Sequence, residues 1–125
     1  MKRVYVAGAY SGPDVLTVID NMRRGLKLAA DAQAAGFAVY VPWEDLLRHL
    51  MCPGGYSMSE CYAASMKWLE VSDAVLVQPV RVAQSNGTRA ELQRAGELGI
   101  PVFWSLEELE KHFSGGKPNA RRNRI

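Results

Sequence analysis

The stretch DAVLVQPVRVAQSNGTRAELQRAGELGIPVFW, residues 73–104, contains the pattern that decides the fold. It starts with one short apolar run, DAVLVQP at 73–79, and ends with another, IPVFW at 100–104. Between them lie a polar loop and a helical segment that opens around the glycine and threonine of SNGTRAE. Parallel strands need a crossover connection of about this length, and the connection is usually a helix. The stretch therefore predicts a strand–helix–strand unit of an α/β fold.

The same alternation extends towards the N-terminus. RVYVAG, Arg3–Gly8, and FAVYVP, Phe37–Pro42, are apolar runs rich in β-branched and aromatic residues, as buried parallel strands are. Between them, apolar residues recur at helical spacing over residues 19–30, and Gly36 is placed to end this helix in a left-handed conformation. Together with the two runs above, these segments give four predicted strands.

Further helices are predicted after the second and fourth strands. WEDLLRHLMCPGGY, residues 43–56, indicates a short helix and a glycine-rich loop. SMSE, Ser57–Glu60, has the spacing of a capping box and predicts a helix to about Val71. SLEE, Ser105–Glu108, predicts a final helix that ends near Phe113.

Strands that alternate with helices predict a doubly wound parallel sheet of four to five strands, flavodoxin-like or Rossmann-like, in a single α/β domain. In such sheets the ligand binds beyond the carboxyl ends of the strands, at the point where the strand order reverses. For a flavodoxin-like order this point lies between the first and third strands. We therefore expect a pocket between the loops at 8–14 and 79–88.

Composition sets the domain organisation and excludes some partners. A chain of 125 residues that is 48% hydrophobic fits one compact domain, which we place at 1–113. Residues 114–125 are expected to form a disordered basic tail, because they begin with a Ser-Gly-Gly and contain four positive charges. Without those four, the net charge of +2 becomes −2. A slightly acidic body lacks the basic stripe of a nucleic-acid-binding surface, so we expect no nucleic-acid partner.

The cysteines and the hydropathy of the chain indicate its compartment and bear on a metal or a membrane partner. Cys52 and Cys61 form neither a disulfide framework nor the spacing of a zinc site. No apolar run approaches membrane-spanning length, and no separate signal-peptide core precedes the first strand. We expect a cytoplasmic protein without a membrane partner, a metal or another cofactor.

Glu91 allows two interpretations. In one, Thr88 is a helix N-cap and Glu91, at the third helical position, completes a capping box that contributes about 1 kcal/mol to helix stability. In the other, the small residues Ser85–Thr88 offer the free backbone amides of a helix start to a phosphate. Glu91 would then attack a glycosyl carbon, whose oxocarbenium-like transition state a carboxylate stabilises. The pattern alone leaves both interpretations open.

Three segments in order resemble a known family. VYVAGAYSG at 4–12, WLEVSDAVLV at 68–77 and SNGTRAELQRAGELGIPV at 85–102 resemble the nucleoside 2-deoxyribosyltransferase superfamily. This superfamily includes the 2′-deoxynucleoside 5′-monophosphate N-glycosidases. The resemblance implies cleavage or transfer at the N-glycosidic bond of a small-molecule nucleotide or nucleoside. It also implies a homodimer or higher homo-oligomer, with sites completed by a neighbouring subunit.

The resemblance implies roles for individual residues. Glu91 falls on the family's nucleophile, and Tyr5 falls on a tyrosine near it. Ser85 falls where the monophosphate hydrolases have a phosphate-binding serine and the nucleoside-using members an aspartate, which favours a nucleotide substrate. The loops at the predicted pocket contribute the candidate substrate-binding residues, which are Gly8, Tyr10, Ser11, Gly12, Ser85, Asn86 and Gly87.

The sequence departs from the family at one position. Ser65 stands where members carry an aspartate that assists departure of the base, and serine is no general acid at neutral pH. Candidates for the missing role in the neighbouring loops are Glu44, Asp45, His49 and Tyr10. Alternatively, the chain is a nucleotide-binding or sensing module without catalysis.

A rival enzyme class shares one motif with the chain. GTRAE at 87–91 is similar to the Gly-Thr-x-x-Glu of cytokinin-activating phosphoribohydrolases. In that family Pro-Gly-Gly directly precedes the motif, whereas here it lies far upstream at 53–55. We therefore rank this class below the first.

Overall fold

The computed structural model describes residues 1–8, 12–44, 48–49, 51–55, 57–79 and 86–115. Within these ranges four strands alternate with four α-helices, and a short 3-10 helix, Pro42–Glu44, follows the second strand. The elements are β1 (Arg3–Ala7), α1 (Val15–Ala34), β2 (Ala38–Tyr40), α2 (Met58–Glu70), β3 (Ala74–Val77), α3 (Asn86–Leu98), β4 (Val102–Phe103) and α4 (Leu106–Ser114).

The strands form one parallel sheet in the order β2-β1-β3-β4. In the ladder, Tyr5 of β1 lies opposite Tyr40 of β2 on one side and Val75 of β3 on the other. This order confirms the predicted doubly wound, flavodoxin-like sheet. The order reverses between β1 and β3, so the predicted ligand edge lies beyond the carboxyl ends of these two strands.

The two faces of the sheet have separate cores, because successive side chains of a strand point to opposite faces. Val4 of β1 and Leu76 of β3 pack with residues of α1 and α4, including Leu109. Tyr5 and the odd-numbered residues of β3 pack on the other face, against α2 and α3. We call these the α1 side and the α2–α3 side. Both faces are covered, as the apolar strand sequences predict.

Several helix ends lie where the sequence predicts them. Ser57 and Ser105 are the N-caps of α2 and α4, and each hydroxyl accepts a hydrogen bond, at 3.2 Å, from the backbone amide three residues later. Asp14 caps α1 in the same way, accepting from the amide of Thr17 at 2.8 Å. Gly36 follows α1 with a φ of 104°, a conformation that favours glycine.

The strands are shorter than the predicted apolar runs. β4 pairs only at Val102–Phe103, because Pro101 before it has no backbone N–H to donate to the ladder. The amide of Phe37 bonds to the carbonyl of Ala32 at the end of α1, so Phe37 belongs to the helix–strand turn. Flanking residues still bond to the sheet, since the carbonyl of Pro101 accepts a hydrogen bond from the amide of Val75 at 2.9 Å.

Two further findings concern the chain as a whole. Among the described helices, none combines the length and the apolar character that crossing a membrane requires. Both cysteines are free, with Cys52 exposed and Cys61 partly buried. The predicted tail lies, from residue 116 onwards, outside the described residues, so its disorder stays a prediction, as does the domain boundary at 113.

Candidate active site

The position of Glu91 in α3 excludes the capping-box interpretation. The helix begins at Asn86, so Thr88 is its third residue and Glu91 its sixth. An N-cap lies before the first helical turn, and Thr88 is instead buried within that turn. The interpretation of Thr88 as an N-cap is wrong because the helix starts at Asn86, three residues before the start that a Thr88 cap implies.

The side chain of Glu91 points to the α2–α3 side of the sheet and meets Tyr5. The Tyr5 hydroxyl donates a hydrogen bond to Oε2 of Glu91, across 86 residues of sequence. Tyr5 is fully buried, and only 6% of Glu91 is exposed. The two residues that the resemblance implies to be neighbours are therefore in direct contact.

Burial changes the protonation of both groups. Loss of solvation raises the pKa of Glu91 to about 7, although the hydrogen bond from Tyr5 lowers it in part. Burial and the charge of Glu91 raise the pKa of Tyr5 above its usual range, so Tyr5 remains a neutral hydrogen-bond donor. Near neutral pH, Glu91 is therefore present in comparable amounts as the acid and as a poorly solvated carboxylate.

An aromatic and hydroxyl cluster extends from Tyr5 along the same face. The ring of Tyr40 lies 5.6 Å from that of Tyr5 and stacks on Trp68 of α2, with ring centroids 5.7 Å apart. The Tyr40 hydroxyl lies 3.4 Å from Oγ of the buried Ser65, at hydrogen-bond distance. Burial raises the pKa of Tyr62, on α2, and the charge of Glu91 raises it further.

Sequence reasoning did not assign a role to Tyr40 or Tyr62. A signal for Tyr40 exists, because the tripeptide Val-Tyr-Val occurs in both β1 and β2, at 4–6 and 39–41. Two parallel neighbours in this register place both tyrosines on one face. No comparable signal identifies Tyr62, since its proximity to Glu91 depends on how α2 packs against α3.

The glycines predicted to bind substrate lie where the backbone approaches other groups closely. A Cβ at Gly8, after β1, would lie 2.8 Å from Cβ and Oε1 of Gln78, which follows β3. A Cβ at Gly12 would lie 2.6 Å from Cγ2 of Thr17 in the first turn of α1. Both positions thus exclude larger side chains for packing reasons, and their contact with a ligand stays a prediction.

Of the remaining predicted site residues, the structure describes two. Asn86 and Gly87 form the first two positions of α3, so their backbone belongs to the helix start that the phosphate hypothesis requires. Tyr10, Ser11 and Ser85 lie outside the described residues, and their assignment stays a prediction.

The structure does not single out one of the candidates for the missing acid. Ser65 is buried beside Tyr40, Glu44 is exposed at the end of the 3-10 helix, and His49 contacts Cys61. Asp45 and Tyr10 lie outside the described residues. In the part of the chain that the structure describes, no three His, Cys, Asp or Glu side chains are grouped so that they could hold a metal ion.

Replacement of Glu91 by glutamine is expected to stabilise the protein at alkaline pH. The carboxyl group has a pKa of about 7 when folded against a usual 4.5, so its contribution to stability is full below pH 4.5 and is lost as the pH rises through 7. The loss is on the order of 3 kcal/mol. The neutral amide avoids it, so the variant should melt above the parent near about pH 8.5 and close to it near about pH 4.5. If Glu91→Gln differs from the parent by the same melting temperature at both pH values, the carboxylate of Glu91 is not buried in the way described.

Comparison with known proteins identifies the fold. A solved structure of 2-deoxyribosyltransferase from the psychrotolerant bacterium Bacillus psychrosaccharolyticus matches with a TM-score of 0.59 and 17% sequence identity, covering 80% of this chain and 69% of that chain. That protein is a biocatalyst for the industrial synthesis of antiviral and antitumoral nucleosides. No protein-family model and no curated protein matches the sequence. The chain therefore has a fold similar to that of a 2-deoxyribosyltransferase, as the sequence resemblance predicts.

Proposed function

We propose that this protein is an enzyme that cleaves or transfers at the N-glycosidic bond of a nucleoside 5′-monophosphate, with Glu91 as the nucleophile. The observation that carries the proposal is the buried contact between the Tyr5 hydroxyl and the Glu91 carboxyl group, on the covered face beside the switch point of the sheet. Active sites are where burial and neighbouring groups are arranged to shift pKa values, so a buried carboxyl group with a raised pKa is a candidate functional group. The similar fold of a deoxyribosyltransferase supports the same chemistry.

In the proposed reaction, the Glu91 carboxylate attacks the anomeric carbon of the sugar and the bond to the nucleobase breaks. The base leaves with the bonding electron pair and takes up a proton, and the sugar stays bound to Glu91 as an ester. Water then attacks this ester to give a hydrolase, or a second base attacks it to give a transferase. Tyr5 holds Oε2 of Glu91 by its hydrogen bond, which fixes the orientation of the carboxylate.

The first experiment is product analysis. The protein is incubated with a panel of nucleoside monophosphates and nucleosides, both ribo and deoxyribo, and free base is quantified by chromatography. We expect base release from at least one monophosphate, and exchange when a second base is added if the protein is a transferase. If no compound of the panel releases free base although nucleotides still bind, the protein is a nucleotide-binding or sensing module.

The alternative function is a nucleotide-binding or sensing module. The observation that favours it is Ser65, which is buried against the Tyr40 hydroxyl where the family has its acidic residue. Hydroxyl groups donate hydrogen bonds to a base but are weak acids at neutral pH, so this pair can recognise a base without protonating it. Binding without base release is the result that this alternative predicts.

Nucleoside 5′-monophosphates are expected to bind more tightly than the corresponding nucleosides. We propose that Ser85 and the backbone amides at the start of α3, at Asn86 and Gly87, bind the phosphate, since a helix N-terminus favours an anion. Charge-assisted hydrogen bonds contribute roughly 1.5–3 kcal/mol each, and calorimetry measures the difference. Equal affinities would support a deoxyribosyltransferase that acts on free nucleosides.

Ser85→Asp is the matching variant, and it should reverse this preference by placing a negative charge against the phosphate. Ser105→Asp is its control, since Ser105 caps α4 on the α1 side and aspartate is an equally good N-cap. The control should keep the preference for monophosphates. A loss of preference in both variants would indicate a general charge effect.

We also propose that two or more copies associate through α2. Tyr62 and Trp68 of α2, and Val71 directly after it, are exposed large hydrophobic side chains, and Trp68 stacks on Tyr40 of the cluster. Sedimentation equilibrium should show a homodimer or a higher homo-oligomer, and Trp68→Lys should shift it towards the monomer. Leu16→Lys, at an exposed apolar position of α1, is the control and should leave association unchanged. A monomeric parent protein, or dissociation only in the control, would contradict this proposal.

A further inference from the structure

A thiol and an imidazole are in contact outside the Tyr5–Glu91 arrangement. Nε2 of His49 lies 2.7 Å from Sγ of Cys61, which is hydrogen-bond distance for this pair. Cys61 is the fourth residue of α2, and His49 lies in the segment that follows the 3-10 helix. Both side chains are partly buried, so the pair is shielded in part but open to a small reagent.

This geometry provides what a nucleophilic cysteine needs. The thiolate is the reactive form of cysteine, and an imidazole nitrogen at hydrogen-bond distance can accept the thiol proton. The required tautomer has its proton on Nδ1 of His49 and leaves Nε2 as the acceptor. Cys61 also lies in the first turns of α2, where the positive end of the helix dipole favours a negative charge.

We propose that Cys61 is a reactive thiol, activated by His49, that exchanges with small-molecule disulfides to form a mixed disulfide on α2. His49 takes the Cys61 proton, and Sγ attacks one sulfur of the disulfide. The disulfide bond breaks, a new bond joins Sγ to the attacked sulfur, and the other half leaves as a thiolate, while the Cys61 proton stays on His49 until solvent takes it up. Cys61 is oxidised, one half of the reagent is reduced to a thiolate, and the charges balance.

The second cysteine of the chain provides an internal comparison. Cys52 is exposed and Cys61 is only partly buried, so accessibility alone predicts that Cys52 reacts first. Activation by His49 predicts the opposite order. The two outcomes can therefore be distinguished in the unmodified protein, without any substitution.

The experiment treats the full chain with a limiting amount of dithiobis-nitrobenzoate, a small aromatic disulfide, and follows the release of coloured thiolate. Peptide mapping by mass spectrometry then identifies the labelled cysteine at early times. We expect Cys61 to be labelled first, about tenfold faster than Cys52, because His49 is placed to accept its proton during the attack. Labelling of Cys52 first, or of both at the same rate, would overturn the proposal.

Variants test the role of the imidazole. Cys61→Ser should remove the fast phase and Cys52→Ser should retain it. Adding His49→Gln to Cys52→Ser should slow the labelling of Cys61 about tenfold, while the melting temperature shows that the fold is kept. An unchanged rate in that double variant would show that His49 does not activate the thiol, and the proposal would then be wrong.

Discussion

Glutamine in place of Glu91 is expected to lower turnover on the best substrate by at least about 10³-fold, while nucleotide binding survives. The neutral amide cannot attack the anomeric carbon or stabilise the positive charge that develops there. It can still accept the hydrogen bond from Tyr5, so the local packing is retained. Steady-state kinetics and calorimetry on the same preparation separate the two effects.

Glu97→Gln is the matched control, because Glu97 lies on the same helix but is exposed and pairs with Arg94, at 3.8 Å. An exposed ion pair contributes about 0–1 kcal/mol, so this variant should keep both turnover and stability. Near-parent turnover in Glu91→Gln would mean that Glu91 has no catalytic role.

Gly25→Ala is expected to be destabilising, although alanine is the better helix former. An added Cβ at Gly25, in the middle of α1, would lie 1.9 Å from Cζ2 of Trp43 and 2.6 Å from Cη2. Trp43 is itself buried, so its ring cannot move aside without disturbing the core on the α1 side. Overpacking of this kind costs about 1–3 kcal/mol, occasionally more, against a gain in helix propensity of about 1 kcal/mol. Denaturant unfolding of the purified variant measures the balance.

Gly96→Ala makes the same substitution in α3, where we expect the free energy of unfolding to change in the opposite direction. A Cβ at Gly96, on the exposed part of α3, would have no heavy atom of another described segment within 4 Å. The variant should therefore gain about 0.5–1 kcal/mol from helix propensity alone. If both variants shift the free energy of unfolding in the same direction, the close packing of Trp43 against α1 would be in doubt.

The sequence was sufficient to predict the sheet, because its signals are local. Runs such as RVYVAG and DAVLVQP identify buried strands by composition, and the serines before α2 and α4 identify helix starts. The parallel order follows from the crossover helices, since short strands separated by helices have few other arrangements. The resemblance was needed only to connect this fold with nucleosides.

The site was less predictable because it depends on contacts between distant segments. TRAE at 88–91 matches a capping box, and only the observed start of α3 shows that Glu91 lies beyond the first turn. The partners of the cluster come from β1, β2, α2 and α3, so their meeting depends on the packing of helices onto the sheet. Tyr62 near Glu91 and His49 against Cys61 are examples that no spacing in the sequence indicates.

The measurement that tests the central claim most directly is the trapping of a covalent sugar–enzyme intermediate. A nucleotide with fluorine at the 2′ carbon of the sugar destabilises the positively charged transition states, so the ester intermediate accumulates when its breakdown is slowed more than its formation. Intact-mass and peptide mass spectrometry then locate the adduct. We predict one fluorinated sugar phosphate on the peptide that contains Glu91, and no such adduct in Glu91→Gln. An active parent protein that releases base while Glu91 stays unmodified and the adduct appears on another residue would contradict the account.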